Sequence, residues 1–290
     1  MTTMSPKDFA TATPAWWCPG CGDYGVLSAL KSALAELGRE PKDVALVSGI
    51  GCSGKISGYV YAYAFHGVHG RALPVATAVK LANRELTVIA AGGDGDGYAI
   101  GAGHFIHAVR RNPDLTYIVM DNQTYGLTKG QASPTAHTGY VSGTAPHGNP
   151  DAPLNGLLLA LAAGGTFLAR GFSAQPKQLT AVLRAAIEHP GFSLVEVLSP
   201  CVTFNKHNTY AWFKERVRPV EERAGYDSGD ARAAFELLSA RDEIPLGIIY
   251  RTQRATFEAS TALPATPLAH LQLDDPALRA RYREIQAAYA

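Results

Sequence analysis

Two short stretches of this chain carry oxygen donors in the number and spacing that a divalent cation and a diphosphate require. The first is Gly92-Gly93-Asp94-Gly95-Asp96-Gly97 and the second Asp121-Asn122-Gln123-Thr124-Tyr125-Gly126. Mg²⁺ demands six oxygens in a near-octahedral shell, gives up its water reluctantly, and is held by one or two side chains plus the phosphates of a ligand. Asp94 and Asn122 can supply those side chains, and the Thr124 carbonyl a third oxygen, which leaves room for two diphosphate oxygens and a water. Gly93 and Gly95 let the backbone approach an anion closely, and a helix starting after them would offer it unpaired N–H groups. A calcium loop starting at Asp94 is excluded because its twelfth position is Phe105, where a bidentate Glu is required. The nucleotide fingerprint G-x-G-x-x-G is not met either.

All four cysteines form the second constellation: Cys18 and Cys21 in Trp17-Cys18-Pro19-Gly20-Cys21-Gly22, Cys52 in Ser48-Gly49-Ile50-Gly51-Cys52-Ser53-Gly54-Lys55, and Cys201 after Ser199-Pro200. One CxxC pair before a helix suits thioredoxin-like redox chemistry, but that motif follows a strand, and no strand signal precedes Trp16. Four thiolates suit a structural zinc or an iron–sulfur cluster. Zinc ribbons use two CxxC pairs, whereas here one pair is joined by two isolated cysteines. On spacing alone cluster, zinc and unrelated buried thiols all stay open. Disulfides are not expected where no secretion signal is read.

Both constellations need strands and helices to deliver them. Leu86–Ala91 and Tyr117–Met120 are apolar runs bounded by turn residues, readable as buried parallel strands, with room for one helix over Tyr98–Arg111. The result is a βαβ unit with oxygen donors at the carboxyl ends of both strands. Val44–Val47 predicts a strand leading to Cys52, and Ser193–Val197 one leading to Cys201. Helices are predicted after Gly22 up to Gly38, over Leu73–Arg84, Leu157–Ala163 and Pro176–Glu188, with a short strand at Thr166–Ala169. The long polar loop that follows Gln131 and runs to Pro153 is expected to be a lid or a subunit contact. Residues 220–290 read as helix-like pieces interrupted by Pro245, Pro264 and Pro267. His104 and His107 on the predicted central helix are expected to serve packing or an interface.

The GDG motif with an asparagine loop at this distance resembles the thiamine-diphosphate motif. The strings GDGDGYAIGAGHFIHAVRRN, DNQTYGLTKGQ, WCPGCGDYG, SGIGCSGK and SPCVTFNKHNTY resemble the β subunits of the 2-oxoacid:ferredoxin oxidoreductases. The resemblance implies an α/β thiamine-diphosphate-binding fold, a mostly parallel sheet with helices on both faces. It implies thiamine diphosphate, Mg²⁺ and one 4Fe–4S cluster as cofactors. Cys18, Cys21, Cys52 and Cys201 would hold the cluster, and Asp94, Asn122 and Thr124 the metal. Ile50, Gly51, Cys52, Ser53, Gly93, Gly95, Asp96, Gly126 and Leu127 join them as cofactor contacts, with His69 from the segment HGVHGRA; His66 has no assigned role. Implied partners are an α subunit in an (αβ)₂ heterotetramer, ferredoxin, coenzyme A and a 2-oxoacid. Thiamine enzymes need a glutamate against the aminopyrimidine, and none stands in these motifs, so the α subunit is expected to bring it and the chain alone to be inactive. Lys55 and Lys129 are expected near the substrate, where a second carboxylate would pair with a lysine, placing 2-oxoglutarate ahead of pyruvate. Leu127 would shape the acyl pocket. The competing readings are a non-redox thiamine decarboxylase with a structural zinc, and a cysteine-based redox module without thiamine.

Composition bounds the remaining possibilities. A net charge of +1 gives no global electrostatic case for nucleic acid or an anionic membrane. No run of about 18 apolar residues is present, and the N-terminal stretch lacks a hydrophobic signal core, so a cytoplasmic protein is expected. Charged residues make up 18% of the chain and apolar ones 47%, against roughly 25% charged in ordinary soluble domains. That imbalance predicts surface covered by partner subunits. Residues 1–220 are expected to form the cofactor domain, and 221–290 an extension packed on a partner.

Overall fold

Apolar runs buried on both sides build the centre of the molecule. The computed structural model describes residues 4–240, 243–261, 263, 266–272 and 274–289. Its strands are β1 (Val44–Ser48), β2 (Tyr63–His66), β3 (Thr87–Gly93), β4 (Leu115–Asp121), β5 (Thr124–Tyr125), β6 (Gln131–Ala132), β7 (Phe167–Phe172), β8 (Phe192–Leu198), β9 (Val217–Pro219) and β10 (Ile244–Arg251). The helices are α1 (Asp23–Glu36), α2 (Ala72–Ala82), α3 (Ala102–Arg111), α4 (Gly156–Ala162), α5 (Pro176–Glu188), α6 (Tyr210–Arg216), α7 (Ala231–Ser239) and α8 (Pro276–Ala288).

Eight strands form one sheet in the order β2-β1-β3-β4-β8-β7-β10-β9. Pairing is parallel from β2 through to β7, β10 runs antiparallel to β7, and β9 is parallel to β10. Side chains of the central strands alternate between two cores, as the pleat demands. Leu46, Ile89, Ile118, Met120 and Val195 face α1 and α5, whereas Val47, Val88, Tyr117, Val119 and Leu194 face α2, α3, α4 and α7. The expected α/β fold with helices on both faces is therefore present. After β1 the chain moves to β2 on one side, and after β3 it moves to β4 on the other. The carboxyl ends of β1 and β3 thus border a crevice at the point where strand order reverses, which is where open α/β sheets bind ligands.

Three expectations change. The single helix over Tyr98–Arg111 is split: Gly95–Ile100 makes a wide π-type turn, and α3 begins only after Gly101. Such turns occur mostly at functional sites. β2 was not expected, because all four of its residues are exposed at the sheet edge and show no buried face. The helix-like reading of 220–290 missed β10, which pairs with β7 and carries the sheet beyond residue 220. Leu237 and Leu238 of α7 also pack in the second core, so the part of the chain that leaves the sheet starts after β10.

Asn112 ends α3 in a left-handed conformation (φ 60°) and ties that end of the sheet together. Its amide nitrogen donates to the carbonyls of Arg254 and Ala255, and its oxygen accepts from Thr166 Oγ1 and the Phe192 N–H. His189 lies behind this knot with Nε2 3.0 Å from Thr166 Oγ1 and a buried Nδ1 that has no partner. Burial, with Arg251 adding to it, pushes the His189 imidazolium down to about 4. Between that value and the ordinary value of about 6.5 the unfolded chain binds a proton that the folded chain does not, so stability falls as pH drops through this window. His189→Asn should remove that share. The Tm advantage of the parent over the variant is expected to shrink steadily from pH 7 to pH 4.5 in calorimetry.

Candidate functional site

The loops after β1, β2, β3 and β4 converge on a cleft lined by Ile50, Gly51, Cys52, Ser53, His69, Gly93, Asp94, Gly95, Asp96, Asn122, Thr124, Gly126 and Leu127. Every residue the sequence assigned to cofactor contact is thus on one wall or another. Tyr125 and Thr128 also line the cleft and were not foreseen. A Cβ on Gly95 would lie 2.2 Å from the Tyr125 ring, so glycine is required there for the two loops to close on each other. The Tyr125 hydroxyl in turn donates to the Gly95 carbonyl at 3.4 Å.

Asp94 and Asp96 do different work although they are two residues apart. Asp94 is buried at the start of the wide turn, and its Oδ2 accepts from Ser133 Oγ and, at 2.6 Å, from Thr135 Oγ1. Burial raises its carboxyl above the usual range, and these hydroxyls oppose that rise. Asp96 Oδ1 accepts from the backbone N–H groups of Ile50 (2.9 Å) and Gly70 (2.8 Å) and lies 3.7 Å from His69 Nε2. Asp96 therefore acts first as a clamp on two loops. Asn122 Oδ1 accepts from the Thr124 N–H at 3.0 Å, and the Asn122 carbonyl accepts from Asn205 Nδ2.

The four cysteines are free thiols in three segments next to this cleft. Trp17 Nε1 donates to the Cys52 carbonyl at 2.7 Å, the Gly22 N–H to the Pro200 carbonyl, and Ser199 Oγ to Asp23 Oδ1 at 2.6 Å. Those bonds zip the segments of Cys18 and Cys21, of Cys52 and of Cys201 together. A Cβ built on Gly126 would stand 3.5 Å from Cys52 Sγ and 3.7 Å from Cys201 Sγ, so the missing side chain leaves the space between these sulfurs open. Burial, then Asp23 and Cys201, push the Cys52 thiol up to about 11, while Lys55 pulls it down. Burial raises Cys21 further still. Among the described residues no group of three or more His, Cys, Asp or Glu side chains is close enough to hold a single metal ion.

Lys55 and Lys129 do not line the cleft. Lys55 lies in a short helical turn directly after Cys52, near enough to act on that thiol. Lys129 is exposed on a turn with a left-handed backbone (φ 79°). His66 Nδ1, at the end of β2, sits 2.9 Å from the Gly54 carbonyl in the loop after β1. His104 and His107 lie outside the cleft, in a surface hollow with Arg71 and Arg111. No glutamate lines the cleft among the described residues. Besides Tyr125 and Thr128, sequence reasoning missed Ser133 and Thr135, which stand in the polar loop and carry no local signal of their contact with Asp94.

Residues 49–197 match the family model for the C-terminal thiamine-pyrophosphate-binding domain of thiamine enzymes, and residues 201–263 that for the C-terminal part of the pyruvate ferredoxin oxidoreductase β subunit. The β subunit of 2-oxoacid:ferredoxin oxidoreductase 2 from Aeropyrum pernix is 46% identical over 85% of this chain and 84% of its own length. The chain belongs to the β subunits of the 2-oxoacid:ferredoxin oxidoreductases. A relative from Mycobacterium tuberculosis, 2-oxoglutarate oxidoreductase subunit KorB, is 45% identical over 74% of this chain and 58% of its own. A chain of the 2-oxoglutarate:ferredoxin oxidoreductase from Magnetococcus marinus, solved with 2-oxoglutarate, coenzyme A and succinyl-CoA bound, superposes with a TM-score of 0.89 over 97% of both chains at 40% identity. In this β subunit the thiamine-binding region spans the sheet from the end of β1 to β8. No helix of the described residues is long and apolar enough to cross a membrane.

Asp96→Ala would release the loops at Ile50 and Gly70 together. Hydrogen bonds to a charged group are each worth about 1.5–3 kcal/mol, so the variant should melt earlier and bind thiamine diphosphate at least tenfold more weakly, the equivalent of about 1.4 kcal/mol. Calorimetric titration of the assembled enzyme checks this, with Asp96→Asn expected between parent and Ala.

Proposed function

We propose that this chain, together with an α subunit, oxidatively decarboxylates 2-oxoglutarate with coenzyme A to an acyl-CoA and CO₂ and passes the electrons to ferredoxin. Asp94, Asn122 and the Thr124 carbonyl would hold Mg²⁺, and Cys18, Cys21, Cys52 and Cys201 would hold one 4Fe–4S cluster. When bound, thiamine diphosphate supplies a nucleophilic carbon and an electron sink, Mg²⁺ anchors its diphosphate, and the cluster takes electrons singly.

One observation carries this reading: Cys52 and Gly126 line the cofactor cleft, and the Cys52 and Cys201 sulfurs both face the gap at Gly126. The cleft and the thiols therefore share a wall, which is what electron transfer between them needs. The oxygen set of one carboxylate, one amide and one carbonyl fits Mg²⁺, which prefers few protein ligands. Zinc needs its sulfurs at about 2.3 Å from one ion, and among the described residues no three ligand side chains gather closely enough for that, whereas a four-iron cube takes its ligands at separate corners. In this chain, Asp96 ties the loops of Ile50 and Gly70 together beside His69, Trp17 and Ser199 brace the sulfur-bearing loops, and Leu127, in the cleft lining, would shape the acyl pocket.

The preference for 2-oxoglutarate rests on the solved relative and on KorB. Pyruvate is the second reading, supported by the family model matched at residues 201–263. With no glutamate lining the cleft among the described residues, the group that promotes carbanion formation is assigned to the α subunit, in an (αβ)₂ assembly.

The isolated chain is expected to turn over no 2-oxoacid, and the native heteromer to prefer 2-oxoglutarate in kcat/KM. Because Lys55 does not line the cleft, Lys55→Ala is expected to leave that preference essentially unchanged; a tenfold loss, the equivalent of about 1.4 kcal/mol, would put Lys55 at the distal carboxylate.

Brown colour with broad visible absorbance separates cluster from zinc. Gly126→Val, which fills the gap at Cys52 and Cys201, should cut iron and acid-labile sulfide by more than half.

A further inference from the structure

The loop between β6 and α4 reads in the sequence as a polar lid or a subunit contact, yet part of it turns inward. Ser133 and Thr135 are buried, and both donate to one oxygen of Asp94, Oδ2. Thr135 Oγ1 also lies 2.7 Å from Asp121 Oδ1 and 3.3 Å from Ser133 Oγ, so it is held from three sides. The same loop reaches the other half of the motif. Thr124 Oγ1 donates to the Gln131 carbonyl at 3.0 Å, and the buried Tyr140 donates its hydroxyl to Thr124 Oγ1 at 3.2 Å.

We propose that Ser133 and Thr135 are positioning residues for the divalent cation, fixing the Asp94 carboxylate through Oδ2 so that Oδ1 is left for the metal, while Tyr140 and Gln131 fix Thr124. The proposal rests on the reading that Asp94, Asn122 and Thr124 hold Mg²⁺. A carboxylate on a free side chain can rotate or bind through both oxygens. Two donors on the same oxygen remove that freedom, and Mg²⁺, which tolerates little departure from an octahedron, gains most from its loss. Partners that orient a ligand in this way are worth 10–100-fold in metal affinity. Ca²⁺ accepts bidentate carboxylates and irregular shells, so it depends less on these hydroxyls.

The test uses the assembled enzyme stripped of metal by chelation, titrated with Mg²⁺ and separately with Ca²⁺ at saturating thiamine diphosphate, with protein fluorescence as readout. Thr135→Val is expected to weaken Mg²⁺ at least tenfold and Ca²⁺ no more than about threefold, and Thr135→Ser, which restores the hydroxyl, to return Mg²⁺ to within about threefold of the parent. Ser133→Ala and its rescue Ser133→Thr form a second pair should Thr135→Val not assemble. Equal Mg²⁺ affinity in parent and hydroxyl-less variants overturns the proposal, and so does an equal loss for Mg²⁺ and Ca²⁺ or a failure of both rescues. A parent enzyme whose thiamine diphosphate binding shows no need of a divalent cation instead sinks the metal site on which the proposal rests.

Discussion

The architecture of the site depends on one buried carboxylate acting on two backbones. Asp96 reaches from the turn after β3 to the N–H of Ile50, beyond β1, and to that of Gly70, before α2. Three chain segments that never pair as strands are thereby held at fixed distances around a cleft. Desolvation raises the Asp96 carboxyl above its ordinary range, and the two N–H groups work against that rise. Its second oxygen is buried without a partner, so the clamp holds against a standing desolvation cost. Gly49 belongs to the same device, since a Cβ there would lie 1.9 Å from the Asp96 carboxylate.

What was legible in the sequence was what is local. β3, β4 and β8 announce themselves because strands covered on both faces must be apolar throughout, and the two loops proposed to hold Mg²⁺ follow directly from the ends of β3 and β4. The cysteines were legible as a set only because there are four, each in a loop. β2 and β10 were not, for opposite reasons. β2 is exposed along its whole length, while β10 contains Pro245 and a Gly247 with φ of 111° and breaks register between Ile248 and Tyr250. Breakers of that kind signal loop unless the partner strand is known. Ser133 and Thr135 act on an aspartate some forty residues earlier, a distance over which sequence spacing carries no information. Lys55 shows the converse error: its closeness to Cys52 in sequence suggested a place in the pocket, but the helical turn that begins there keeps it on the sulfur side.

Charge is distributed with the same economy. In the interior of the sheet Arg170 pairs with Glu196, side by side on β7 and β8, and Tyr98 donates to the remaining Glu196 oxygen. This satisfied pair lines a neighbouring cleft to which Asp121 and Thr135 also contribute. The thiol region has no comparable compensation: Asp23 adds negative charge at the start of α1, and Lys55 is the cation that acts on Cys52. Neutral thiols are at ease there, and thiolates call for positive charge among them.

The segment from Asn122 to Gly126 has a further consequence for how such an enzyme can change. Five consecutive residues serve an oxygen donor set at one end and the gap between two sulfurs at the other. Adjacent Cα atoms are 3.8 Å apart, so one inserted or deleted residue would slide one set past the other by about the length of a coordination bond or more. Loop length here is consequently under tighter constraint than residue identity, and variation in this part of the molecule must proceed by substitution.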